Sequence, residues 1–274
     1  MDSLCFSKYS GCGNDFILID NRHNLFAEGL KPEQVRNLCD RHRGVGADGV
    51  ILLNSSTVAD YRMVIYNSDG GEAEMCGNGI RCIGLFIRDL GDQRTELTIE
   101  TYERVLSIII DGSDVHVMMG EPSDTLWNQA LEVDGKELIV HYLNTGVPHV
   151  VYFVEGDELP ISQLGKAIRN HESYAPSGAN VNRVVVNDKE ICIETYERGV
   201  EGVTQACGTG ATATALAAAQ ILQLPAPVSV KVPSGDRLLI TFKESGTTYT
   251  DVWMKGSAAL LFTGKVNLVF KNTH

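Results

Sequence analysis

The amino-acid sequence predicts an α+β protein in which strands outnumber helices. Runs with apolar residues at every second position, or continuous β-branched runs, recur along the whole chain, whereas helical periodicity is confined to four segments. The length of 274 residues suggests about two domains. Two cysteines, Cys76 and Cys207, each open a turn of the form Cys-Gly-x-Gly that leads into an apolar stretch. We therefore expect a duplicated unit.

The strand patterns set out the framework of the predicted fold. Most are four to seven residues long, rich in Val, Ile, Leu and Tyr, and bounded by Gly, Asp, Asn or Pro. We expect strands at 16–20, 50–53, 61–66, 97–103, 106–110, 115–119, 138–143, 149–154, 181–186, 191–196, 228–232, 237–242, 249–254 and 258–262.

Helices are expected at 32–42, 77–90, 162–170 and 208–223. The first begins with Pro32, which suits the first turn of a helix. The second has apolar residues at helical spacing and Gly91 as its C-terminal cap. The fourth is alanine-rich with almost no polar side, and Pro225 stops it. The second and fourth helices are therefore expected to be buried inside sheets.

The two cysteines lie 131 residues apart, and each follows a strand that ends in a tyrosine and a polar residue, Tyr66-Asn67 and Tyr196-Glu197. This spacing indicates a duplicated domain. A competing repeat, Ile-Glu-Thr-Tyr-Glu-Arg, occurs at 99–104 and again at 193–198. Because only the second copy leads into a cysteine turn, we interpret the first as coincidental.

Composition excludes several classes of function. The chain has 35 acidic and 23 basic residues, a formal net charge of −12, and no basic block, so it would repel nucleic acid. No apolar run is long enough to span a membrane, and the N-terminus does not resemble a signal peptide. The seven cysteines form no close-spaced framework, which favours free thiols. We expect a soluble, cytoplasmic protein.

A cysteine at a helix start is suited to acid–base chemistry. The positive end of the helix dipole and the unpaired backbone N–H groups favour a thiolate, and the same N–H groups bind carboxylates. Two such turns facing one another would hold a substrate carboxylate, with one sulfur on either face of the neighbouring carbon. One thiolate could then remove a proton from an amino acid α-carbon while the other thiol returns one.

Two simpler interpretations compete with this one. Buried cysteines are usually small core residues, although a matched pair with doubled glycines is unusual for that role. A zinc site is disfavoured because no Cys-x-x-Cys pair exists and no histidine lies near Cys207 in sequence. We expect no metal. No lysine setting suggests a pyridoxal Schiff base, so we expect no cofactor.

The sequence resembles the diaminopimelate epimerase family, whose members interconvert LL- and meso-diaminopimelate for lysine and peptidoglycan synthesis. Eight motifs in order carry the resemblance: Gly13-Asn14-Asp15-Phe16, Arg43-Gly44-Val45-Gly46-Ala47-Asp48-Gly49, Tyr66-Asn67-Ser68-Asp69-Gly70, Met75-Cys76-Gly77-Asn78-Gly79-Ile80-Arg81-Cys82, Pro148-His149, Asn180-Val181-Asn182, Tyr196-Glu197-Arg198-Gly199 and Ala206-Cys207-Gly208-Thr209-Gly210.

The resemblance implies two similar domains, each a mixed sheet or barrel wrapped around a central helix. They would span 1–119 and 120–263, with the last strand, 264–274, returning to the first domain. Cys76 and Cys207 would be the acid–base pair, assisted by His149 and Glu197. The substrate, a small diamino diacid, would be bound by Asn14, Asn67, Gly77, Asn78, Asn180, Glu197, Arg198, Gly208 and Thr209. The oligomeric state is left open, with a homodimer as the assembly to test.

Three departures from the family pattern concern substrate choice. Val147 stands where many members have Asn, Gly49 where some have Gln, and the loop at 199–205 is about one residue longer than in several members. Looser recognition would allow slow turnover of a related amino acid such as glutamate. The alternatives are therefore a related racemase of broader specificity, acting for example on glutamate, and a non-catalytic amino-acid-binding protein. Within the architecture that the resemblance implies, proline racemase and hydroxyproline epimerase also use paired cysteines.

Overall fold

A computed structural model describes residues 3–73, 76–156, 158–187, 190–246 and 248–267. The chain divides into two compact units, Met1–Val117 with Ser257–His274 and Met118–Gly256. The first unit gives way to the second after residue 117, two residues before the boundary that the sequence suggested. The chain returns to the first unit after residue 256, whereas the sequence suggested a return after residue 263. In the described part of the chain, no helix is long and apolar enough to cross a membrane.

The first unit contains two helices, α1 (Pro32–Cys39) and α2 (Gly77–Asp89). Its strands are β1 (Ser3–Gly11), β2 (Asn14–Asp20), β3 (Gly49–Asn54), β4 (Tyr61–Asn67), β5 (Glu72–Ala73), β6 (Glu96–Glu100), β7 (Val105–Asp111), β8 (Asp114–Met118) and β18 (Ala259–Asn267).

These strands form one mixed sheet in the order β18-β1-β2-β3-β4-β6-β7-β8, with the short β5 beside β4. The pairs β2–β3 and β4–β6 are parallel and the others antiparallel. All residues of α2 from Asn78 to Ile87 are buried, so this helix forms the core of its unit. Its end matches expectation, because Gly91 follows it at a φ of 105°.

The second unit contains α3 (Ile161–Arg169), a short 3₁₀ turn (Glu172–Tyr174) and α4 (Gly208–Leu222). Its strands are β9 (Ser123–Val133), β10 (Lys136–Asn144), β11 (Pro148–Val154), β12 (Asn180–Asn187), β13 (Glu190–Glu197), β14 (Gly202–Thr204), β15 (Val228–Lys231), β16 (Arg237–Ser245) and β17 (Thr248–Ser257).

The second unit repeats the topology of the first. Its strand order is β9-β10-β11-β12-β13-β15-β16-β17, with β14 beside β13, and the parallel pairs are β11–β12 and β13–β15. The helix α4 corresponds to α2 and is buried on nearly every side. Since β13 corresponds to β4 and not to β6, the two copies of Ile-Glu-Thr-Tyr-Glu-Arg lie in non-equivalent places.

Several predicted elements need correction. The strand expected at 97–103 ends at Glu100, because Thr101 to Arg104 form a tight turn closed by a 2.9 Å bond from the Thr101 N–H to the Arg104 carbonyl. The helix expected at 32–42 ends at Cys39, because the Asp40 carboxylate accepts bonds from the N–H groups of His42 and Arg43. His42 is consequently exposed instead of lying with the buried Val35 and Leu38.

Four strands were not predicted from the sequence, namely β1, β5, β9 and β14. In β1 the alternation of Leu4 and Phe6 continues into Lys8, a buried charge that hid the pattern. Most of β9 is exposed, so its inward positions carry little signal. The strand expected at 264–274 coincides over 264–267 with β18, which pairs with β1. Residues 268–274 lie outside the described part of the chain.

Candidate active site

The helix α2 starts at the first candidate cysteine. Cys76 is the N-cap residue, with extended backbone (φ −142°, ψ 116°), and its thiol is partly exposed. Its carbonyl accepts the first helical bond, from the Ile80 N–H at 2.9 Å. Gly77 and Asn78 therefore occupy the turn whose N–H groups have no acceptor within the helix. The predicted carboxylate-binding turn is thus a real helix N-terminus.

A buried arginine organises this turn. Arg81 is fully buried on α2 and donates to the Gly77 carbonyl at 2.9 Å and to the Asn78 side-chain oxygen at 2.7 Å. Asn78 in turn donates to the Asn14 oxygen at 2.6 Å, and Asn14 donates to Asp48 at 3.1 Å. The structure thereby joins Asn14 and Asn78, two predicted site residues from distant parts of the sequence.

Charged residues hold the far end of this chain of hydrogen bonds. Arg41 bridges Asp48 at 2.8 Å and Asp15 at 2.7 Å, and the buried Lys8 pairs with Asp15 at 2.8 Å. Burial alone would raise the pKa of Asp15, but its bonds and charge pairing with Arg41 and Lys8 lower that pKa to about 2. Asp15 is therefore ionised at neutral pH, and the loop that carries Asn14 is firmly anchored.

Asn67, the remaining candidate of the first unit, closes β4. Its backbone forms the β4–β5 turn, donating to the Gly71 carbonyl at 2.8 Å and accepting from the Gly70 N–H at 2.9 Å. The residue is exposed. The Asn67 backbone therefore stabilises the turn, and its exposed side chain is accessible to a ligand.

The helix α4 starts at Cys207 in the same way. Cys207 is the N-cap, with nearly the same backbone (φ −131°, ψ 110°), and is 8% exposed. Its sulfur accepts a bond from the Gly210 N–H at 3.4 Å and lies 3.4 Å from the Thr209 hydroxyl. An N–H donor directed at a sulfur favours the thiolate form. Thr145 donates to the Thr209 carbonyl at 2.9 Å and fixes the turn from outside the helix.

His149 lies in β11 and is completely buried. Its Nδ1 lies 3.0 Å from the side-chain nitrogen of Asn182, and its Nε2 has no hydrogen-bond partner among the described residues. Burial lowers the pKa of His149 to about 3, so the ring is neutral in the folded protein.

Asn180, Glu197 and Arg198 gather at the adjoining ends of β12 and β13. The Asn180 oxygen accepts a 2.7 Å bond from the Arg198 backbone N–H, and Asn180 is 4% exposed. Burial raises the pKa of Glu197, so its carboxylate depends more than an exposed one on meeting a cation. Glu197 ends β13 and Arg198 follows it, and a carboxylate and a guanidinium are the groups that suit a ligand with both an ammonium and a carboxylate.

Four residues that support the predicted site residues were not predicted from the sequence, namely Arg81, Asp48, Asn182 and Thr195. One signal was available for Arg81, because a single charge on the apolar side of a central helix must have buried partners. Asn182 and Thr195 could not be found this way, since polar residues are common in strands. No group of three or more candidate metal ligands occurs in the described part of the chain.

Comparisons with known proteins agree with this architecture. The family model for diaminopimelate epimerase matches residues 6–125 and 141–261. Diaminopimelate epimerase of Aquifex aeolicus (strain VF5) is 40% identical over 275 residues, covering 96% of this chain and 97% of that protein. The enzyme of the same name from Archaeoglobus fulgidus is 39% identical over 278 residues, covering 97% of each.

A crystal structure of a Bacillus anthracis phenazine biosynthesis protein of the PhzF family has the same fold. Its TM-score is 0.73 at 16% identity, with 97% of this chain and 100% of that chain covered. The predicted α+β fold of two similar domains, each wrapped around a central helix, is confirmed. The matched family model and the two relatives, together with the paired cysteine turns, establish that the chain belongs to the diaminopimelate epimerase family.

Proposed function

We propose that this protein interconverts LL- and meso-2,6-diaminopimelate without a cofactor, for lysine and peptidoglycan synthesis. The observation that carries the proposal is the equivalence of Cys76 and Cys207, each the N-cap of a buried helix in one of two units of the same topology. The names of the relatives supply the substrate. A binding protein would need no such pair of thiols, whereas inversion at carbon needs a base and an acid.

The proposed reaction removes one proton from the α-carbon and delivers another proton to the opposite face of the same carbon. The thiolate of one cysteine takes the proton from Cα, the C–H electron pair moves onto the α-carbon and its carboxylate, and the S–H bond of the other cysteine breaks to deliver a proton to the opposite face. The N–H groups of Gly77 and Asn78 and of Gly208 and Thr209 would hold the carboxylate that gains charge. The two cysteines exchange roles when the direction reverses.

The other predicted residues would recognise the two ends of the substrate. Arg198 would bind the distal carboxylate through two parallel hydrogen bonds, with Asn14, Asn67 and Asn180 as further donors and acceptors. Glu197, whose burial favours a cationic neighbour, would accept a bond from an ammonium group. His149 would assist at the reacting centre.

The test is exchange of the α-hydrogen in D₂O without added cofactor. The wild type is expected to incorporate deuterium at Cα of LL-diaminopimelate and to form the meso isomer. Cys76→Ala and Cys207→Ala should each slow epimerisation by about 10²–10⁴-fold, the usual contribution of a positioned acid or base. Cys192→Ala, a half-buried cysteine in β13, is the matched control and should retain full turnover. Normal epimerisation by either N-cap variant would refute the mechanism.

The same assay measures substrate range. D- and L-glutamate should show slow exchange if Val147, Gly49 and the 199–205 loop loosen recognition of the distal end. Exchange with diaminopimelate but none with glutamate after long incubation would restrict the enzyme to the diamino diacid.

We also propose a cytoplasmic homodimer. A mechanism with two acid–base thiols needs both cysteines reduced, which suits a reducing compartment. A dimer is supported by three consecutive exposed apolar residues of β18, namely Leu260 at 45%, Leu261 at 52% and Phe262 at 49%.

A further inference from the structure

A chain of three buried polar side chains lies beneath the first turn of α4. His149, Asn182 and Thr195 come from the adjacent strands β11, β12 and β13, and none is more than 2% exposed. A Cβ atom built on Gly210 would lie 2.6 Å from the Asn182 oxygen, 3.1 Å from the Thr195 hydroxyl and 3.2 Å from the Cys207 sulfur. The polar chain therefore reaches the helix turn that carries the candidate thiol.

The equivalent place in the first unit is apolar. By strand register, Phe16 corresponds to His149, Ile51 to Asn182 and Ile65 to Thr195. A Cβ atom on Gly79 would meet the terminal methyl groups of Ile51 and Ile65, each at 3.1 Å. Since apolar residues fill this position equally well, the fold does not require a polar chain under the helix. We therefore expect the polar side chains beneath α4 to have a functional role.

The hydrogen bonds among these three side chains determine which atoms donate and which accept. The Asn182 side-chain nitrogen lies 3.2 Å from the Val150 carbonyl, which can only accept, and the Asn182 oxygen lies 2.9 Å from the Thr195 hydroxyl, which therefore donates. The amide orientation follows from these two partners. Its second N–H is directed at Nδ1 of His149, at 3.0 Å, and that atom must be an acceptor.

An imidazole that accepts at Nδ1 carries its hydrogen on Nε2 when neutral. An imidazolium would direct a second N–H at the Asn182 amide hydrogens, so the observed contact fits the neutral ring only. Nε2 is buried without a hydrogen-bond partner among the described residues, and an N–H donor in that setting gains strongly from an incoming acceptor.

We propose that Asn182 is a positioning residue: it holds His149 in the tautomer with hydrogen on Nε2, so that His149 offers the reacting centre a hydrogen-bond donor and not a proton acceptor. Thr195 fixes the Asn182 amide in the required orientation. The role of this donor rests on the proposed function, in which negative charge develops beside the thiol of Cys207. The tautomer itself does not depend on that function.

The tautomer is measured directly by long-range ¹H–¹⁵N correlation spectra of the full chain labelled at histidine, without substrate, with His149 assigned by its loss in His149→Gln. The wild type should show a single neutral form with hydrogen on Nε2. In Asn182→Asp, a carboxylate that only accepts replaces the amide donor, so the hydrogen should move to Nδ1. Hydrogen on Nδ1 in the wild type, or no change in a folded Asn182→Asp protein, would overturn the proposal.

Two further variants keep the test decisive. Thr195→Val is nearly isosteric and should populate both tautomers, and a single unchanged tautomer in that variant would overturn the role of Thr195. Ile51→Val, at the position equivalent to Asn182 in the first unit, is the matched control and should leave the His149 signals unchanged.

Kinetics then separate positioning from simple structural damage. Asn182→Asp should lower kcat for diaminopimelate by about 10–100-fold, as expected when a supporting hydrogen bond is lost, with KM changed less than about threefold. An unchanged kcat would overturn the positioning role. If the wild type failed to exchange deuterium into diaminopimelate, the proposed function would fall while the tautomer result stood on its own.

Discussion

Burial determines the pKa values of two histidines in the second unit. His149 and His141 are 0% and 3% exposed, and burial lowers the pKa of His149 to about 3 and of His141 to about 4. Each is therefore neutral in the folded chain at pH values where it is protonated in the unfolded chain, with a usual pKa of about 6.5. The unfolded state binds more protons in that range, so stability must fall as the pH falls.

We expect this linkage to appear in the free energy of unfolding. The contribution of His149 is fully present above about pH 6.5 and is lost as the pH falls toward 3, which amounts to about 2 kcal/mol between about pH 7 and pH 5. His149→Phe, which introduces the residue found at the equivalent position 16, should remove that part of the decrease. Urea unfolding at the two pH values measures it.

The comparison does not depend on the overall stability of the variant. His149→Phe loses the bond to Asn182 and should be less stable at both pH values, but the difference between the two values is what reports the proton. His141→Phe should reduce that difference separately. An unchanged pH difference in both variants would show that the two rings are protonated in the folded state.

A residue could be predicted from the sequence when its role depends on neighbours within a few positions along the chain. The N-cap positions of Cys76 and Cys207 follow from a local pattern of glycines before an apolar run, and the structure contains both. The partners of Asn14 lie 34 and 64 residues away in sequence. Such pairings arise from strand register, so the hydrogen-bond network around Arg81 became visible only in the folded chain.

The two central helices start alike but rest on different surfaces. In α2 the third helical residue, Gly79, faces the methyl groups of Ile51 and Ile65, which can move aside. In α4 the corresponding Gly210 faces the amide of Asn182, held by hydrogen bonds to Thr195 and Val150. The tolerance of each turn to an added methyl group should differ accordingly.

We expect Gly210→Ala to destabilise the protein by about 1–3 kcal/mol, the usual cost of overpacking a filled site. The added carbon would lie 2.6 Å from the Asn182 oxygen, which can retreat only by breaking its bonds. Both variants gain up to about 1 kcal/mol in helix propensity, but in the matched control, Gly79→Ala, the added carbon displaces only two terminal methyl groups. Thermal or urea unfolding compares them, and equal stability of the two variants would contradict this account.

The strands that the sequence revealed are those with one clearly buried face. β3 is a continuous apolar run, and β12 has buried valines at 181 and 184 that continue into Val185, so both were predicted within one residue at each end. Most of β9 is exposed and no residue of β14 is buried, so neither strand carries such a pattern. The identical hexapeptides at 99–104 and 193–198 make the same point, since one ends in a turn and the other continues as a strand. Tertiary context decides between them.

The duplication is a property of the complete chain and could be inferred from the two cysteine turns alone. Strand order, the position of the two parallel pairs and the central helix all recur in the second unit. The differences are chemical: Phe16, Ile51 and Ile65 in one unit correspond to His149, Asn182 and Thr195 in the other. Two units of the same topology can therefore place their N-cap cysteines in chemically unequal surroundings.

The exposed apolar residues of β18 bear on the assembly state of the whole chain. Leu260, Leu261 and Phe262 are adjacent, and Phe262 also packs edge-on against Phe6 with ring centroids 6.0 Å apart. About half of each of these three side chains is already buried, so covering the rest would contribute about 1 kcal/mol each, half of the value for a fully exposed side chain. A second copy of the chain, which offers the same residues, can cover them in a symmetric contact.

We expect sedimentation velocity to show a dimer for the wild type and a shift toward monomer for Leu261→Lys, because a charged ammonium group in an apolar contact must be desolvated without a partner. Val58→Lys is the matched control, since Val58 is also apolar and 68% exposed but lies in the β3–β4 connection, away from β18. It should remain dimeric. A monomeric wild type, or a Leu261→Lys protein as dimeric as the control, would mean that this strand does not join two copies.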